Sequence, residues 1–172
     1  MHSDNTLVPT LINPIAPNVT LIPGAIANQK LPEPAYPFNS FVRQFRTVKM
    51  ETYVRVSNSV SGKIQGNWLV KESSIRGMSA KEIQQNLALE NEPNQIGAVE
   101  VPEGVLMRSG PVGNNAFGPG NTGITQYQLM EQIPSNSFQS PVPLTVPEIN
   151  IPQEGIPIEP TEPIDPNIFD IL

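Results

Sequence analysis

The pattern of hydrophobic and polar positions changes twice along the chain. In the central part, β-branched and aromatic residues alternate with polar ones over short runs, which is the period-two pattern of half-buried strands. Glycine, proline, asparagine and serine, which favour turns, separate these runs. The centre of the chain is therefore predicted to be rich in strands. The clearest runs are residues 52–56, 66–70, 98–101, 105–108 and 125–129.

One central segment has helical periodicity instead. Ser79 is followed three positions later by Glu82, which is the spacing of a capping box at a helix N-terminus. Ile83 and Leu87 then lie four positions apart and share one helix face. Pro93 ends the pattern, because proline cannot continue a helix. One main helix among several strands predicts a small α+β domain with a mainly antiparallel sheet.

Proline-rich stretches flank this centre. Prolines recur every few positions in residues 1–37, and residues 134–172 alternate isoleucine or valine with proline and acid. Proline lacks the N–H that helix and sheet interiors need, so we expect an extended arm, a core domain over residues 38–133, and an extended acidic tail. The arm is either a strap along its own domain or a strap in another protein's groove. For the tail, disorder and docking to a partner both stay open.

Composition and charge limit the partners. The chain has 20 prolines, 38% hydrophobic residues and a net charge of −6. All lysines and arginines lie between Lys30 and Arg108, so the last third is purely acidic and nucleic acid is an unfavourable partner. No apolar run reaches the roughly 18 residues of a membrane-spanning helix. The N-terminus also lacks the pattern of a signal peptide.

The absence of cysteine and the position of histidine exclude several classes of active site. The chain has no cysteine, and therefore no disulfide, no thiolate zinc site and no cysteine nucleophile. Its single histidine is His2, outside the predicted core, which excludes Ser-His-Asp hydrolases and histidine metal centres there. Catalysis would rest on carboxylates, amides, arginine, tyrosine, hydroxyls and backbone groups. We expect no metal.

Two side chains in the first central strands can carry binding chemistry. Arg55 shares a strand face with Tyr53, and its guanidinium is either exposed to solvent or a paired donor for phosphate or carboxylate. Trp68 is the only tryptophan, and it is either a core anchor or a flat surface on which an aromatic ring stacks.

A glycine-rich stretch over residues 110–123 leads into the last central strand. Loops of this length are usually functional or disordered, and Phe117 gives this one an apolar anchor. We expect an ordered loop whose N–H groups can meet an anion, although it matches neither a P-loop nor a dinucleotide-binding fingerprint. Gln126 and Gln128 follow on one strand face, with Tyr127 on the other. They form a polar edge strand, or they place Gln126 at the mouth of a cleft.

The order of these motifs resembles a known family. A Tyr-x-Arg strand, a Gly-x-Trp strand, a Ser-x-x-Glu-Ile helix, a Val-x-Val-Pro-x-Gly turn, a Phe-Gly-x-Gly loop and a Gln-Tyr strand follow one another over about residues 50–131. This order is similar to the C-terminal toxin domains of bacterial polymorphic toxins with the ADP-ribosyltransferase-like fold of the tuberculosis necrotizing toxin type. Where that family has a run of glycines before Gln-Tyr, this chain has Asn-Thr-Gly-Ile-Thr at residues 121–125.

The resemblance implies a split β-sheet with NAD bound in a cleft, and cleavage of the nicotinamide–ribose bond by glycohydrolysis or ADP-ribosyl transfer. It implies a secreted or delivered effector that acts in a target-cell cytoplasm. Arg55 and Gln126 would be catalytic, the first holding phosphate and the second addressing the ribose or the attacking water. A cognate immunity protein and a carrier that docks the proline-rich arms are the partners implied. The residues expected around NAD are Tyr53, Trp68, Phe117, Gly118, Gly120 and Tyr127.

Two other functions stay open. One is a metal-independent ribonuclease toxin that uses Arg55, Lys63, Lys71 and Glu72. The other is a non-enzymatic, strap-like assembly protein of a phage, capsid or injection apparatus, since two apolar proline-rich arms flank a small domain. The assembly role is compatible with the toxin role, because a delivered cargo needs segments that dock in its carrier.

Overall fold

The computed structural model describes residues 18–62 and 64–144. Within these residues the chain forms eight strands, three short α-helices and one 3₁₀ turn (Ser135–Ser137). In chain order the elements are β1 (Val19–Pro23), α1 (Gly24–Ala27), β2 (Phe41–Arg46), β3 (Glu51–Ser57), β4 (Trp68–Val70), α2 (Glu72–Ile75), α3 (Ala80–Leu87), β5 (Gln95–Val101), β6 (Leu106–Pro111), β7 (Thr125–Leu129) and β8 (Val142–Pro143).

All eight described strands belong to one sheet, in the order β1-β2-β6-β7-β4-β3-β5-β8. Every neighbouring pair is antiparallel. The prediction of a mainly antiparallel sheet with few helices is confirmed. The described strands nevertheless form one continuous ladder instead of the split sheet that the resemblance implies. The physical reason is that β4 pairs with both β3 and β7 and so joins the two halves.

The helix α3 begins where the capping box predicts. The backbone N–H of Glu82 donates to Ser79 Oγ over 3.1 Å, and the N–H of Ser79 donates to Glu82 Oε1 over 2.8 Å. Ile83 is 1% exposed and faces the sheet core. The helix ends at Leu87, and the following residue, Ala88, has a φ of 54° in the left-handed region that terminates helices. The predicted start of the helix is confirmed. Its predicted end at Pro93 is wrong, because the left-handed turn at Ala88 ends the helix earlier.

Alternation along the strands builds a separate hydrophobic cluster on each face of the sheet. Tyr53 and Leu69 belong to the cluster on one face. Val54 and Val70 belong to the cluster on the other face, where Ile83 of α3 covers them. We call the face with α3 the helix face. It is the face on which the candidate site lies.

The residues from 18 to 37 are part of this fold. Strand β1 pairs with β2 over its whole length, and Tyr36 and Ala27 are buried against Val42 of β2. The sheet therefore extends past the predicted boundary at residue 37, and the described part of the arm is a strap along its own domain. Antiparallel pairing tolerates the proline because Pro23 is the last residue of an edge strand.

The side chain of Asn28 fixes the course of this N-terminal strap, residues 18–37. Its Oδ1 accepts the backbone N–H groups of Ala35 and Tyr36 over 2.9 and 3.0 Å, and its Nδ2 donates to the carbonyl of Tyr36 over 2.9 Å. At the other end of the chain, the 3₁₀ turn and β8 extend the fold past residue 133. The predictions for residues 1–17, for Lys63 and for residues 145–172 lie outside the described residues.

Candidate functional site

A cavity of about 430 Å³ opens on the helix face of the sheet. This volume is within the range of roughly 300–1,000 Å³ that is typical of small-molecule sites. Its floor is formed by side chains of the helix face, among them Val54, Trp68 and Gln126, together with apolar residues of the core. Its walls are four connecting segments. They are residues 31–35 of the N-terminal strap, residues 58–62 of the β3–β4 connection, residues 87–91 after α3, and residues 112–117 of the glycine-rich stretch.

The glycine-rich stretch is held against the C-terminal end of α3. The backbone N–H of Gly120 donates to the carbonyl of Gln85 over 3.2 Å, and Asn115 Nδ2 donates to the carbonyl of Ala88 over 3.2 Å. Asn121 Nδ2 donates to Asn86 Oδ1 over 2.7 Å. The last carbonyls of a helix have no partner within the helix, so they are ready acceptors for such a loop. The stretch is ordered, as the sequence predicts.

The side-chain amide of Gln126 uses its nitrogen as a hydrogen-bond donor, while its oxygen accepts no hydrogen bond from described residues. Its Nε2 donates to the carbonyl of Ala35 over 2.7 Å and to the carbonyl of Pro111 over 3.3 Å. Its Oε1 accepts no hydrogen bond from the part of the chain that the structure describes. The side chain thus fastens the N-terminal strap to β7, and Gln126 is one of the residues that line the cavity.

Trp68 and Phe117 are the aromatic residues of the cavity. The ring of Trp68 is partly buried and packs against Tyr36 with a centroid separation of 5.8 Å and an interplanar angle of 57°. Phe117 is 43% exposed. Trp68 therefore packs against the core, as one of the two interpretations expected, and it also borders the cavity; its use as a stacking surface stays a prediction.

Arg55 borders the cavity through its position on β3, but its side chain serves another purpose. Strand alternation places that side chain on the face opposite to Val54 and Val56. There its Nε donates to the carbonyl of Ile64 over 3.1 Å, and its Nη1 donates to the carbonyl of Trp68 over 3.4 Å. Burial lowers the pKa of the guanidinium. The group fastens the connection between β3 and β4, and its side chain lies on the face opposite to the cavity.

Replacing this side chain is expected to destabilise the fold. We expect Arg55→Ala to lower the free energy of unfolding by about 1–3 kcal/mol, because two backbone carbonyls lose their donors. Arg43→Ala is the matched control, since Arg43 is exposed and forms no hydrogen bond or ion pair with described residues. It should change stability by no more than about 0.5 kcal/mol. Urea titrations compare the two, and equal effects would contradict a structural role for Arg55.

Tyr53 and Tyr127 lie on the opposite face from the cavity, although the resemblance places them around NAD. Their ring centroids are 4.7 Å apart, and Lys71 Nζ lies 4.5 Å from the centre of the Tyr53 ring. Burial is the main cause that raises the pKa of both phenols. The reason for the placement is strand parity, since Tyr127 stands between two glutamines that face the other way.

Gly118 and Gly120 shape the loop without bordering the cavity. The N–H of Gly118 donates to the carbonyl of Asn115 over 3.3 Å, and the N–H of Gly120 is taken by Gln85. Both donors are therefore satisfied within the chain, and neither is directed at an anion. Of the eight residues that the resemblance implies, Trp68, Phe117 and Gln126 present side chains at one place.

Sequence reasoning missed the wall that the N-terminal strap supplies. Leu31 and Ala35 border the cavity, and Ala35 accepts the amide of Gln126. It also missed the carboxylates Glu33 and Glu90, which line the same cavity. The available signal was the apolar character of the arm, which is too high for a segment that lies in water.

Other kinds of site find no counterpart in the described residues. No three histidine, aspartate or glutamate side chains among them come together as a metal site. None of their helices is both long and apolar enough to cross a membrane. No protein-family model, no curated protein sequence and no solved structure matches the chain.

Proposed function

We propose that the chain is a bacterial toxin or effector domain that binds the nicotinamide end of NAD in this cavity and breaks the nicotinamide–ribose bond. The observation that carries the proposal is the convergence of Trp68, Phe117 and Gln126 on one cavity of small-molecule size. These residues come from three separate segments, and the motif order that resembles the toxin family contains all of them. An aromatic wall and one oriented acceptor suit a flat ring joined to a sugar.

The chemistry needs no group that the cavity lacks. The bond between ribose C1′ and the ring nitrogen breaks, and its electron pair moves to the ring, which leaves as neutral nicotinamide. A water oxygen, or an acceptor nucleophile in ADP-ribosyl transfer, bonds to C1′ through an oxocarbenium-like state, and one proton passes to solvent. Gln126 Oε1 is suited to accept a hydrogen bond from the ribose or the water and so to fix its position.

A biological setting follows from the same proposal. The domain would be secreted or delivered, would act in the cytoplasm of a target cell, and would be neutralised in the producing cell by an immunity protein that covers the cavity. A carrier would dock the proline-rich ends of the chain. These partners rest on the resemblance in motif order.

One observation favours the assembly function as a second candidate. Phe38 and Phe41 are 80% and 62% exposed, and such aromatic residues on a surface commonly mark an interface. In this alternative the domain binds a carrier or a structural partner, and the cavity turns over no NAD.

The decisive experiment measures free nicotinamide after the full chain is mixed with NAD, with and without candidate acceptor proteins. We expect turnover by the unmodified chain. We expect Gln126→Ala to lower kcat by more than about tenfold, because an oriented polar group is lost from the site. Gln128→Ala is the matched control, since Gln128 lies two residues further on the same face but away from the cavity.

Gln128→Ala is expected to lower stability but to keep kcat per folded molecule. The fraction folded is measured by circular dichroism at the assay temperature for both variants. Absence of nicotinamide release from the unmodified chain under all conditions would refute the catalytic proposal and support the assembly alternative. Equal losses of kcat in the two folded variants would refute the role of Gln126 alone.

A further inference from the structure

The charges around the cavity are unevenly distributed. Among the described lining residues, the ionisable side chains are Arg55, Glu33 and Glu90. Arg55 is the one cation, and its guanidinium donates to backbone carbonyls on the opposite face of the sheet. Glu33 is partly buried and Glu90 is exposed, and neither forms an ion pair with a described residue. The described lining therefore carries two carboxylates that form no ion pair with a described cation.

Several backbone and amide donors near the cavity are also in use. The N–H of Gly113 donates to the carbonyl of Ala35 over 2.9 Å, and Asn115 Nδ2 donates to the carbonyl of Ala88. Gln126 turns its donors toward Ala35 and Pro111 and its acceptor oxygen remains open. These donors are not available to an anion bound here, whereas a cation meets the open acceptor and the carboxylates.

The aromatic residues that border the cavity also favour a cation over an anion. Trp68 and Phe117 border the cavity, and tryptophan is the side chain whose ring face attracts cations most strongly. A flat, positively charged ring gains from stacking, from the ring quadrupole and from the carboxylates together. A phosphate would be repelled by Glu33 and Glu90.

We infer that the cavity selects a pyridinium nucleoside, a flat cationic ring joined to a ribose, and that it excludes phosphate groups from its interior. The choice of ring rests on the proposed function. In NAD, the nicotinamide riboside half would enter the cavity, and the pyrophosphate and adenosine would stay outside its mouth. The preference for a cation rests on the lining itself.

The test compares ligands of matched shape by calorimetric titration of the full chain. Oxidised nicotinamide riboside carries the positive ring, reduced nicotinamide riboside has nearly the same shape without that charge, and nicotinamide mononucleotide adds one phosphate. We expect the oxidised riboside to bind about tenfold more tightly than each of the other two, since one unit charge near two partly solvated carboxylates gives an effect of this order.

Charge-removing variants connect the preference to the lining. Glu33→Gln and Glu90→Gln keep the size of the side chain, and each should reduce the preference for the oxidised riboside by about threefold. Glu103→Gln is the matched control, because Glu103 is exposed in the turn between β5 and β6 and does not border the cavity. It should leave the preference unchanged.

The outcomes separate this inference from the proposed function. Tight, charge-dependent binding of the oxidised riboside without any cleavage of NAD would support the inference and refute the catalytic function. Cleavage of NAD with equal or tighter binding of the reduced riboside or the mononucleotide would overturn the inference and leave the function standing. Failure of the oxidised riboside to bind at millimolar concentration would also overturn it.

Discussion

A chain shortened to begin at residue 38 is expected to lose its cooperative thermal unfolding, although residue 38 is the predicted start of the core domain. The shortening removes β1, α1 and the buried ring of Tyr36, which is 2% exposed. It also removes Ala35, whose carbonyl accepts Gln126 Nε2 and the N–H of Gly113. The remaining strands would expose an apolar face and several unpaired polar groups, each of which carries a cost on the order of 1–3 kcal/mol.

Buried polar groups of the sheet show why the effect is large. Tyr36 Oη donates to Gln128 Oε1 over 3.0 Å, and Gln128 is 6% exposed. Arg108 Nη1 donates to the carbonyl of Ala27 over 3.3 Å. Without the strap, Gln128 Oε1 would lose its donor and Arg108 Nη1 would lose its acceptor. A marginally stable domain of this size has roughly 5–15 kcal/mol in total, so these losses are sufficient to unfold it.

Single substitutions in the full-length chain test the contact between Tyr36 of the strap and the sheet without removing any residues. We expect Tyr36→Ala to lower the free energy of unfolding by about 3–5 kcal/mol, as for other large buried aromatic residues. Phe38→Ala is the matched control, two residues away and 80% exposed, and should cost less than about 0.5 kcal/mol. Differential scanning calorimetry measures all three chains. Cooperative unfolding of the shortened chain, with equal costs for the two point variants, would contradict an integral strap.

The features that sequence predicted well are local ones. The capping box of Ser79 and Glu82 lies within four residues, so its geometry depends little on the rest of the fold. Strand β3 has regular alternation, and its two faces are packed as that alternation predicts. For β7, the same rule puts Gln126 and Tyr127 on opposite faces. The resemblance assigned both residues to one site, whereas the alternation of side chains along the strand correctly predicts that they lie on opposite faces.

The features that sequence missed depend on contacts between distant segments. The prolines of the arm conceal β1, because proline propensity describes the isolated chain and not its pairing with β2. The partners of Arg55 are carbonyls of the β3–β4 connection, whose course no periodic pattern specifies. The cavity is enclosed by the strap, the β3–β4 connection, the segment after α3 and the glycine-rich stretch, which are distant in sequence. The composition of each segment and the spacing of its residues do not show that these segments come into contact.

Gly120→Ala is expected to be among the most destabilising single substitutions in the glycine-rich stretch. Gly120 has a φ of +68°, where an L-residue costs about 1–2 kcal/mol more than glycine. An added Cβ would overlap the carbonyl oxygen of Gly113 and would lie 3.1 Å from Val112 Cγ1. The loop has little room to move away, because the N–H groups of Gly113 and Gly120 are both hydrogen-bonded to neighbouring segments.

Gly104→Ala separates the two causes. Gly104 has a φ of +86°, and an added Cβ there would have nothing within 4 Å, so this substitution measures the conformational cost alone. We expect Gly120→Ala to cost at least about 2 kcal/mol more than Gly104→Ala in urea titration, the difference being steric overlap with backbone. Equal costs would mean that the loop shifts freely. The loop would then be an adaptable wall, and the preformed cavity on which both proposals depend would lose its physical basis.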